Sequence, residues 1–299
     1  MATLKEVQTK ISGVKKTKQI TSAMKMVATS KLRGAQDASE AFRPYAGKFA
    51  EVLGSLAEKA GGEASALLVP REEVKKVNIV LCTSDRGLCG GFNANLIKVV
   101  EKYIKENSDR QIEFTFTNFG KKGRDFAKKE GYAIDAEYLG VVGGKFGFNV
   151  ASTAGRQLVE SFEDGVFDEV HLVYSKFISA AKQLPVMKQL LPIPPIEAEE
   201  VEDDQADADA PFLAEHICEP SPDELLSEML PRNVYIQIYS GLLETSTSEH
   251  AARMAAMENA TKACTDIVKE LQTLYNKARQ AAITADLMDI VGGAEALSG

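Results

Sequence analysis

The sequence predicts an α/β protein with three parts: a long helix at each end and a sheet domain between them. Apolar or small residues recur at alternating spacings of three and four along both ends of the chain, which is typical of coiled-coil helices. Between them, β-branched runs alternate with amphipathic segments, which predicts an open, largely parallel sheet. We therefore expect a long antiparallel coiled coil of the N- and C-terminal helices plus a Rossmann-like α/β domain. The expected boundaries are 1–62 for the first helix, 74–195 for the α/β domain, 196–220 for an acidic linker and 221–293 for the last helix.

The first helix carries an apolar stripe with coiled-coil spacing. Its members are Leu4, Val7, Ile11, Val14, Ala28, Leu32, Ala35, Phe42, Ala46, Phe49, Leu53 and Leu56. An interior proline costs a helix about 3 kcal/mol, so Pro44 predicts a kink or a fresh start. Gly61-Gly62 predicts the end of this helix.

The stripe is interrupted in its middle. The positions that continue its spacing there hold Lys18, Thr21 and Lys25. The apolar residues of the same stretch lie out of register with the stripe. They are Ile20, Met24 and Val27. Such a shift turns apolar side chains toward a surface other than the paired helix.

The middle of the chain alternates between strand and helix patterns. The predicted strands are 77–82, 112–116 and 169–174, with a possible edge strand at 184–191. The predicted helices are 93–105, 123–130 and 150–162. A proline-rich end at Pro192–Pro195 is followed by the acidic, low-complexity stretch 197–209, which has the composition of a linker.

The last helix carries a second stripe. Its predicted members are Met257, Ala260, Cys264, Ile267, Leu271, Leu274, Ala278, Ala281, Ala285 and Met288. Pro231 and Gly241 predict a bend or break before it. Each buried Leu or Ile contributes roughly 1.5–3 kcal/mol, and neither helix can bury its stripe alone. The two helices should therefore pair, and they should be antiparallel because the middle domain returns the chain to its start.

Charge is unevenly distributed along the chain. The net charge is −8, yet residues 1–50 hold ten Lys or Arg and three Asp or Glu. A basic helix in an acidic protein indicates an acidic partner, either an acidic protein loop or nucleic acid. The negative total disfavours nucleic acid, and a solvated helix face is the alternative explanation.

The sequence gives little support for catalytic or metal chemistry. The four cysteines form no C-x-x-C pair and the three histidines are scattered, so neither a metal site nor a disulfide framework is expected. Cys89 could be reactive near a helix start, but no histidine is placed beside it by the sequence. The segment Gly140–Phe146 resembles a phosphate loop but is one residue short.

A glycine-rich turn, Asp85–Asn93, follows the first strand and allows two interpretations. The spacing is G-x-x-G-G rather than the G-x-G-x-x-G of dinucleotide sites, which favours a close-packed turn. A nucleotide-dependent enzyme is the alternative, and a coiled-coil scaffold or nucleic-acid binder is a third possibility.

Four segments together are more distinctive than any single motif. They are Ile20-Thr-Ser-Ala-Met-Lys-Met-Val-Ala28, Ser84-Asp-Arg-Gly-Leu-Cys-Gly-Gly-Phe-Asn-Ala-Asn95, His250-Ala-Ala-Arg-Met-Ala-Ala-Met257 and Glu270-Leu-Gln-Thr-Leu-Tyr-Asn-Lys-Ala-Arg-Gln-Ala-Ala-Ile-Thr284. In this order they resemble the gamma subunits of F-type ATP synthases. The resemblance extends from Leu4 to about Gly293.

The resemblance implies a non-catalytic rotor that binds no cofactor, metal or small-molecule substrate. Gamma subunits turn inside a ring of three alpha and three beta subunits and, with the epsilon subunit, sit on the membrane c ring. Rotation there couples ion flow to ATP synthesis or hydrolysis at the beta subunits. The chain lacks the paired-cysteine insertion of chloroplast relatives and shows no transit peptide. The implied location is therefore the cytoplasmic face of a bacterial inner membrane.

The resemblance also implies six contact residues between rotor and stator. Met24 and Lys25 match positions that face an acidic lever loop of beta, and Arg253 matches a position involved in coupling. Arg279, Gln280 and Thr284 match positions that engage a catch loop of beta. The alternative for all six is an ordinary solvated helix face.

Overall fold

A computed structural model describes residues 4–59, 65–194 and 221–298. The chain forms two compact units, one made of Met1–Ser30 with Arg253–Gly299 and the other of Lys31–Ala252. The predicted linker and the predicted helix end at Gly61-Gly62 lie outside the described residues.

Five helices, one short 3₁₀ turn and five strands follow one another in the described residues. They are α1 (Leu4–Lys59), β1 (Lys76–Cys82), α2 (Phe92–Glu106), the 3₁₀ turn (Ser108–Arg110), β2 (Glu113–Phe119), α3 (Lys121–Glu130), β3 (Ala133–Tyr138), α4 (Phe148–Glu163), β4 (Glu169–Phe177), β5 (Gln183–Leu191) and α5 (Pro222–Ser298).

The larger unit contains one sheet with the strand order β3-β2-β1-β4-β5. The first four strands are parallel to their neighbours and β5 is antiparallel to β4. The predicted open, largely parallel sheet and its edge strand are therefore confirmed. The strand β3 was not predicted: it lies at the opposite edge, where its side chains are alternately exposed and half-buried. It therefore lacks the continuous apolar run that marks a central strand.

Side chains alternate across β1 and divide the core of the larger unit into two layers. Val80 and Cys82 pack into a cluster with α4 and with the α1 and α5 segments of this unit. Ile79 and Leu81 point to the other face and pack with α2 and α3. The fully buried run in β1 is thus explained by helices on both faces of the sheet.

Neither proline ends a helix, so the fresh start predicted at Pro44 and the break predicted at Pro231 do not occur. Pro44 lies inside α1 and Pro231 inside α5, and both helices are continuous. Apolar packing around each proline offsets its cost: Phe42 contacts Tyr239, with ring centroids 4.7 Å apart, and Leu230 is fully buried. Gly241 allows close packing instead of a break, since a Cβ atom there would lie 2.9 Å from Leu172 Cδ2.

The smaller unit consists of the first part of α1 and the last part of α5, which pair in antiparallel orientation. The hydroxyls of Thr21 and Thr261 lie 2.8 Å apart, and Lys25 Nζ lies 3.0 Å from Glu258 Oε1. As the residue number rises along α1, the number of the contacting residue on α5 falls. The two helices are therefore antiparallel, as predicted. On α1 the predicted stripe is also confirmed, since Val7, Ile11 and Ala28 are buried.

The predicted stripe on α5 is half wrong. Met257 and Cys264 are buried and Leu271 is half-buried, whereas Ile267 and Leu274 are 43% and 50% exposed. Predicted members farther along the helix, Ala281, Ala285 and Met288, are exposed as well. Half-buried residues lie next to two of the wrong positions: Val268 follows Ile267, and Tyr275 follows Leu274. Both are one residue later than predicted, because a spacing of three and a spacing of four each keep a residue near the same helix face.

Candidate interaction surface

The six candidate contact residues all lie in the smaller unit. Met24 and Lys25 are on α1, and Arg253, Arg279, Gln280 and Thr284 are on α5. At 1.5 Å per residue, Arg279 lies about 30 Å farther along α5 than Glu258, the partner of Lys25. The structure therefore separates the candidates into two patches, one around Lys25 and Arg253 and one around Arg279.

Lys25 lies in the coiled-coil stripe and forms an ion pair across the two helices. Its ammonium lies 3.0 Å from Glu258 Oε1, and the two side chains are 38% and 57% exposed. An exposed pair of this kind contributes about 0–1 kcal/mol. Lys25 can therefore exchange Glu258 for another carboxylate at little cost. Sequence reasoning missed Glu258, whose signal was an acidic residue next to Met257 of the second stripe.

An apolar surface lies beside this ion pair. Ile20 and Val27 are 60% and 58% exposed, and Met24 between them is half-buried. These residues share one face of α1 because they are spaced by four and three. The expectation that the out-of-register residues turn outward is confirmed for Ile20 and Val27, and Met26, at 65% exposure, adds apolar surface nearby.

The second patch is polar and exposed. Arg279, Gln280 and Thr284 all face solvent, and the Thr284 hydroxyl donates to the Gln280 carbonyl at 2.9 Å. The side chains of Arg279 and Gln280 project from a helix and offer several N–H donors. The surface can thus bind carbonyl or carboxylate oxygens of a partner.

Exposed apolar residues follow this patch toward the end of α5. They are Ile283 (58%), Leu287 (58%), Met288 (64%), Ile290 (71%) and Val291 (51%). In the register set by Thr21 and Thr261, the start of α1 at Leu4 lies level with Ala278. Beyond that point, the described residues place no second helix of this unit beside α5.

The glycine-rich turn after β1, in the larger unit, is held by its own side chains. Asn93 Oδ1 accepts from the Ser84 backbone N–H at 3.0 Å, and Asn93 Nδ2 lies 3.2 Å from the buried Cys89 Sγ. Asp85 Oδ1 accepts from the backbone N–H groups of Lys121 and Gly140 at 3.2 and 3.0 Å. These contacts support the interpretation as a close-packed turn.

Within 4–59, 65–194 and 221–298, no three His, Cys, Asp or Glu side chains are grouped so that they could hold a metal ion. No helix in these ranges has both the length and the apolar character needed to cross a membrane.

Comparisons with known proteins identify the family. A family model described as ATP synthase matches residues 3–297. The ATP synthase gamma chain of Desulfosudis oleivorans is 68% identical over 300 residues, with all of both chains covered. This chain belongs to the ATP synthase gamma-chain family. The gamma chain of Nitratidesulfovibrio vulgaris strain Hildenborough is 52% identical over 299 residues, again with full coverage of both chains.

Solved structures show the same fold at lower sequence identity. A chain from the Euglena gracilis mitochondrial ATP synthase, from an assembly of OSCP, F1 and c-ring, matches with a TM-score of 0.65 and 19% identity. The match covers 98% of this chain and 94% of that one. A chain from the central stalk and c-ring of the Tetrahymena thermophila enzyme matches with a TM-score of 0.58 and 23% identity, covering 81% and 99%. The long helices and the five-stranded sheet thus have the fold of an ATP synthase central stalk.

Proposed function

We propose that this chain is the rotating, non-catalytic shaft of a bacterial ATP synthase. The observation that carries the proposal is the match to ATP synthase gamma chains over the whole length, 68% identical for the Desulfosudis oleivorans chain. In this role the chain couples ion flow through the membrane c ring to ATP synthesis or hydrolysis at the beta subunits. The chemistry itself belongs to the beta subunits.

The partners follow from the same proposal. Three alpha and three beta subunits surround the coiled coil, while the epsilon subunit and the c ring contact the sheet domain. The complex would lie at the cytoplasmic face of the bacterial inner membrane, with this chain attached peripherally. Neither nucleic acid nor a small-molecule substrate is part of this role.

Coupling requires that the three beta subunits adopt different conformations. A single asymmetric pair of helices cannot contact three identical subunits in the same way. Each beta conformation is favoured only by as much as its contacts with the shaft differ from those of the other conformations. Weak contacts suit this role because they must break at every step.

The two patches fit such contacts. Around Met24, Lys25 and Arg253, positive charge lies next to an exposed apolar face, which matches an acidic loop of a beta subunit with apolar neighbours. Around Arg279, Gln280 and Thr284, exposed donors match a second loop. The ion pair of Lys25 with Glu258 is weak enough to be exchanged during a step.

The end of α5 supports enclosure by the ring. The exposed residues Ile283, Leu287 and Ile290 lie at spacings of four and three, so they form one apolar face. Large exposed apolar patches mark interaction sites. The apolar end of α5 is therefore expected to lie against the inner wall of the alpha–beta ring.

Assembly and ion pumping test the proposal. The chain is expressed with the alpha, beta and epsilon subunits of a close relative, purified through a tag on beta, and joined to the membrane sector in vesicles. We expect co-purification and ATP-driven ion pumping, and the matched preparation without this chain should not pump. Failure to co-purify, or equal pumping without the chain, would refute the proposed function.

A further inference from the structure

The strand β4 extends beyond the end of its neighbour β1. The last paired residues are Leu81 on β1 and Val173 on β4, while β4 continues to Phe177. Successive residues of a strand direct their backbone N–H and C=O groups to opposite sides. The backbone N–H and C=O groups of Ser175 and Phe177 therefore point to the same side as those of Val173, which is the side of β1. At the level of Ser175 and Phe177, however, β1 has already ended.

The other neighbour, β5, cannot satisfy these groups, because they point away from it. Pro185, which lies opposite Ser175 on β5, fits this geometry, since no backbone N–H is needed there for a bond to Ser175. Ser175 is only 2% exposed, so water does not replace the missing partner strand. An unpaired buried backbone group is costly, and another element has to supply partners.

Side chains of α5 supply them. The Ser175 N–H donates to Thr245 Oγ1 at 3.3 Å, and Ser248 Oγ donates to the Ser175 carbonyl at 3.0 Å. The Phe177 N–H donates to Glu244 Oε2 at 3.0 Å. We call these five residues the β4–α5 joint. Three side chains of a helix thus take the place of a missing strand.

The helix also lies unusually close to the strand next to the joint. A Cβ atom on Gly241 would lie 2.9 Å from Leu172 Cδ2 and 3.5 Å from Tyr174 Cβ. Gly241 is about one helical turn before Glu244 and Thr245. The glycine therefore allows the approach that brings the three polar side chains within hydrogen-bonding distance of β4.

We infer that the β4–α5 joint transmits torque between the sheet and α5, and that Glu244, Thr245 and Ser248 are positioning residues of the rotor. This rests on the proposed function. Apolar packing is non-directional, whereas hydrogen bonds depend on angle. The joint therefore resists rotation of α5 about its own axis more than apolar contacts do. Since α5 is one helix to Ser298, an angle fixed at the joint is passed along it.

The test compares two isosteric changes on the same helix. The joint variant is Thr245→Val with Ser248→Ala, which removes both hydroxyls. The matched control is Thr247→Val: Thr247 is equally buried, but its hydroxyl donates to the Leu243 carbonyl of α5 at 2.9 Å. Both are measured in the assembled, reconstituted complex. The readouts are hydrogen exchange of the segment 175–177, the ATPase rate, and ions pumped per ATP hydrolysed.

The joint variant should open the contact with β4. Each lost bond is expected to raise the open population roughly tenfold, so exchange of the segment becomes faster by at least that factor. Ions pumped per ATP fall while the ATPase rate is kept. The control variant changes neither readout. Restoring the Thr245 hydroxyl as Thr245→Ser in the joint variant should recover part of the pumping.

Other results overturn the inference. Faster exchange with unchanged pumping per ATP would show that the joint holds the strand without carrying torque. Unchanged exchange would show that the joint does not hold the strand, and equal losses in the control would indicate a general effect on α5.

If the joint variant does not assemble, Glu244→Ala is compared with Glu244→Gln, which keeps an acceptor. Equal pumping in these two variants would overturn the inference. A wild-type complex that does not pump would contradict the proposed function instead.

Discussion

At the scale of single residues, Lys25 shows what a motif predicts and what only the structure supplies. The resemblance assigns Lys25 to a contact with an acidic loop, and that contact stays a proposal. The structure adds that Glu258 already neutralises the ammonium at 3.0 Å. The pairing depends on the register between helices more than 200 positions apart in the chain, which a single sequence does not contain.

Met24→Lys should impair coupling more than assembly. The new ammonium would lie beside Lys25 at a half-exposed position, where repulsion between like charges is about 1 kcal/mol in water, or roughly fivefold in an equilibrium. The ratio of ATP-driven pumping to ATPase rate should fall by about this factor. Met24→Leu, which keeps the size and adds no charge, serves as the control. An unchanged ratio in the lysine variant would count against the contact.

Glu244 should make stability depend on pH. Burial raises the pKa of this carboxyl above its ordinary value, although the Phe177 N–H bond and the charges of Lys176 and Arg43 lower it. The folded chain therefore binds the proton more tightly than the unfolded chain does. The stabilisation that this tighter proton binding provides is complete below pH 4.5, the ordinary pKa of the carboxyl. It is lost as the pH rises through the higher pKa of Glu244 in the folded chain.

To check this, urea unfolding of the full chain and of its Glu244→Gln variant is monitored by circular dichroism at a series of pH values from 4.5 upward. Between pH 4.5 and 7, the wild type should lose stability relative to the Gln variant, which does not titrate. Parallel pH profiles for the two proteins would show that the environment of Glu244 leaves its pKa unchanged.

At the scale of elements, the sequence predicts the buried face of a helix well where the apolar spacing is regular. It predicts that face poorly where two neighbouring residues are equally apolar. The stripe of α1 is correct because its apolar and small residues keep the coiled-coil spacing and are bounded by charged residues. On α5, Ile267 is as apolar as Val268, so composition could not choose between them, and only packing against α1 does. Pro44 does not start a new helix, because tertiary packing exceeds the local cost of an interior proline.

Two substitutions distinguish the predicted stripe on α5 from the observed one. Leu271→Asp introduces a carboxylate at a half-buried position that faces α1, at a cost on the order of 2 kcal/mol. Leu274→Asp places the same group at a position that is 50% exposed, so it should change stability by less than about 0.5 kcal/mol. Thermal unfolding of the full chain measures both. Equal effects would mean that the stripe does not follow the observed register.

At the scale of the whole molecule, the family was predictable and the joint was not. Four separated motifs identify a gamma chain because each is long and their order is fixed. The β4–α5 joint depends on where β1 ends and on which backbone groups of β4 point to that side. Neither is visible in hydrophobic periodicity, and Thr245 and Ser248 look like ordinary polar residues of a helix. The structure was needed to show which backbone groups they satisfy.

The proposed function requires this chain to rotate inside the alpha–beta ring, and single-molecule imaging can observe that rotation. The ring is fixed to a surface through beta, and a gold particle is attached to an introduced cysteine at the exposed Ser108. With ATP present, we expect rotation in one direction with three equal steps per turn, stopping when ATP is removed. A particle that stays at one angle while the same complexes hydrolyse ATP would contradict it.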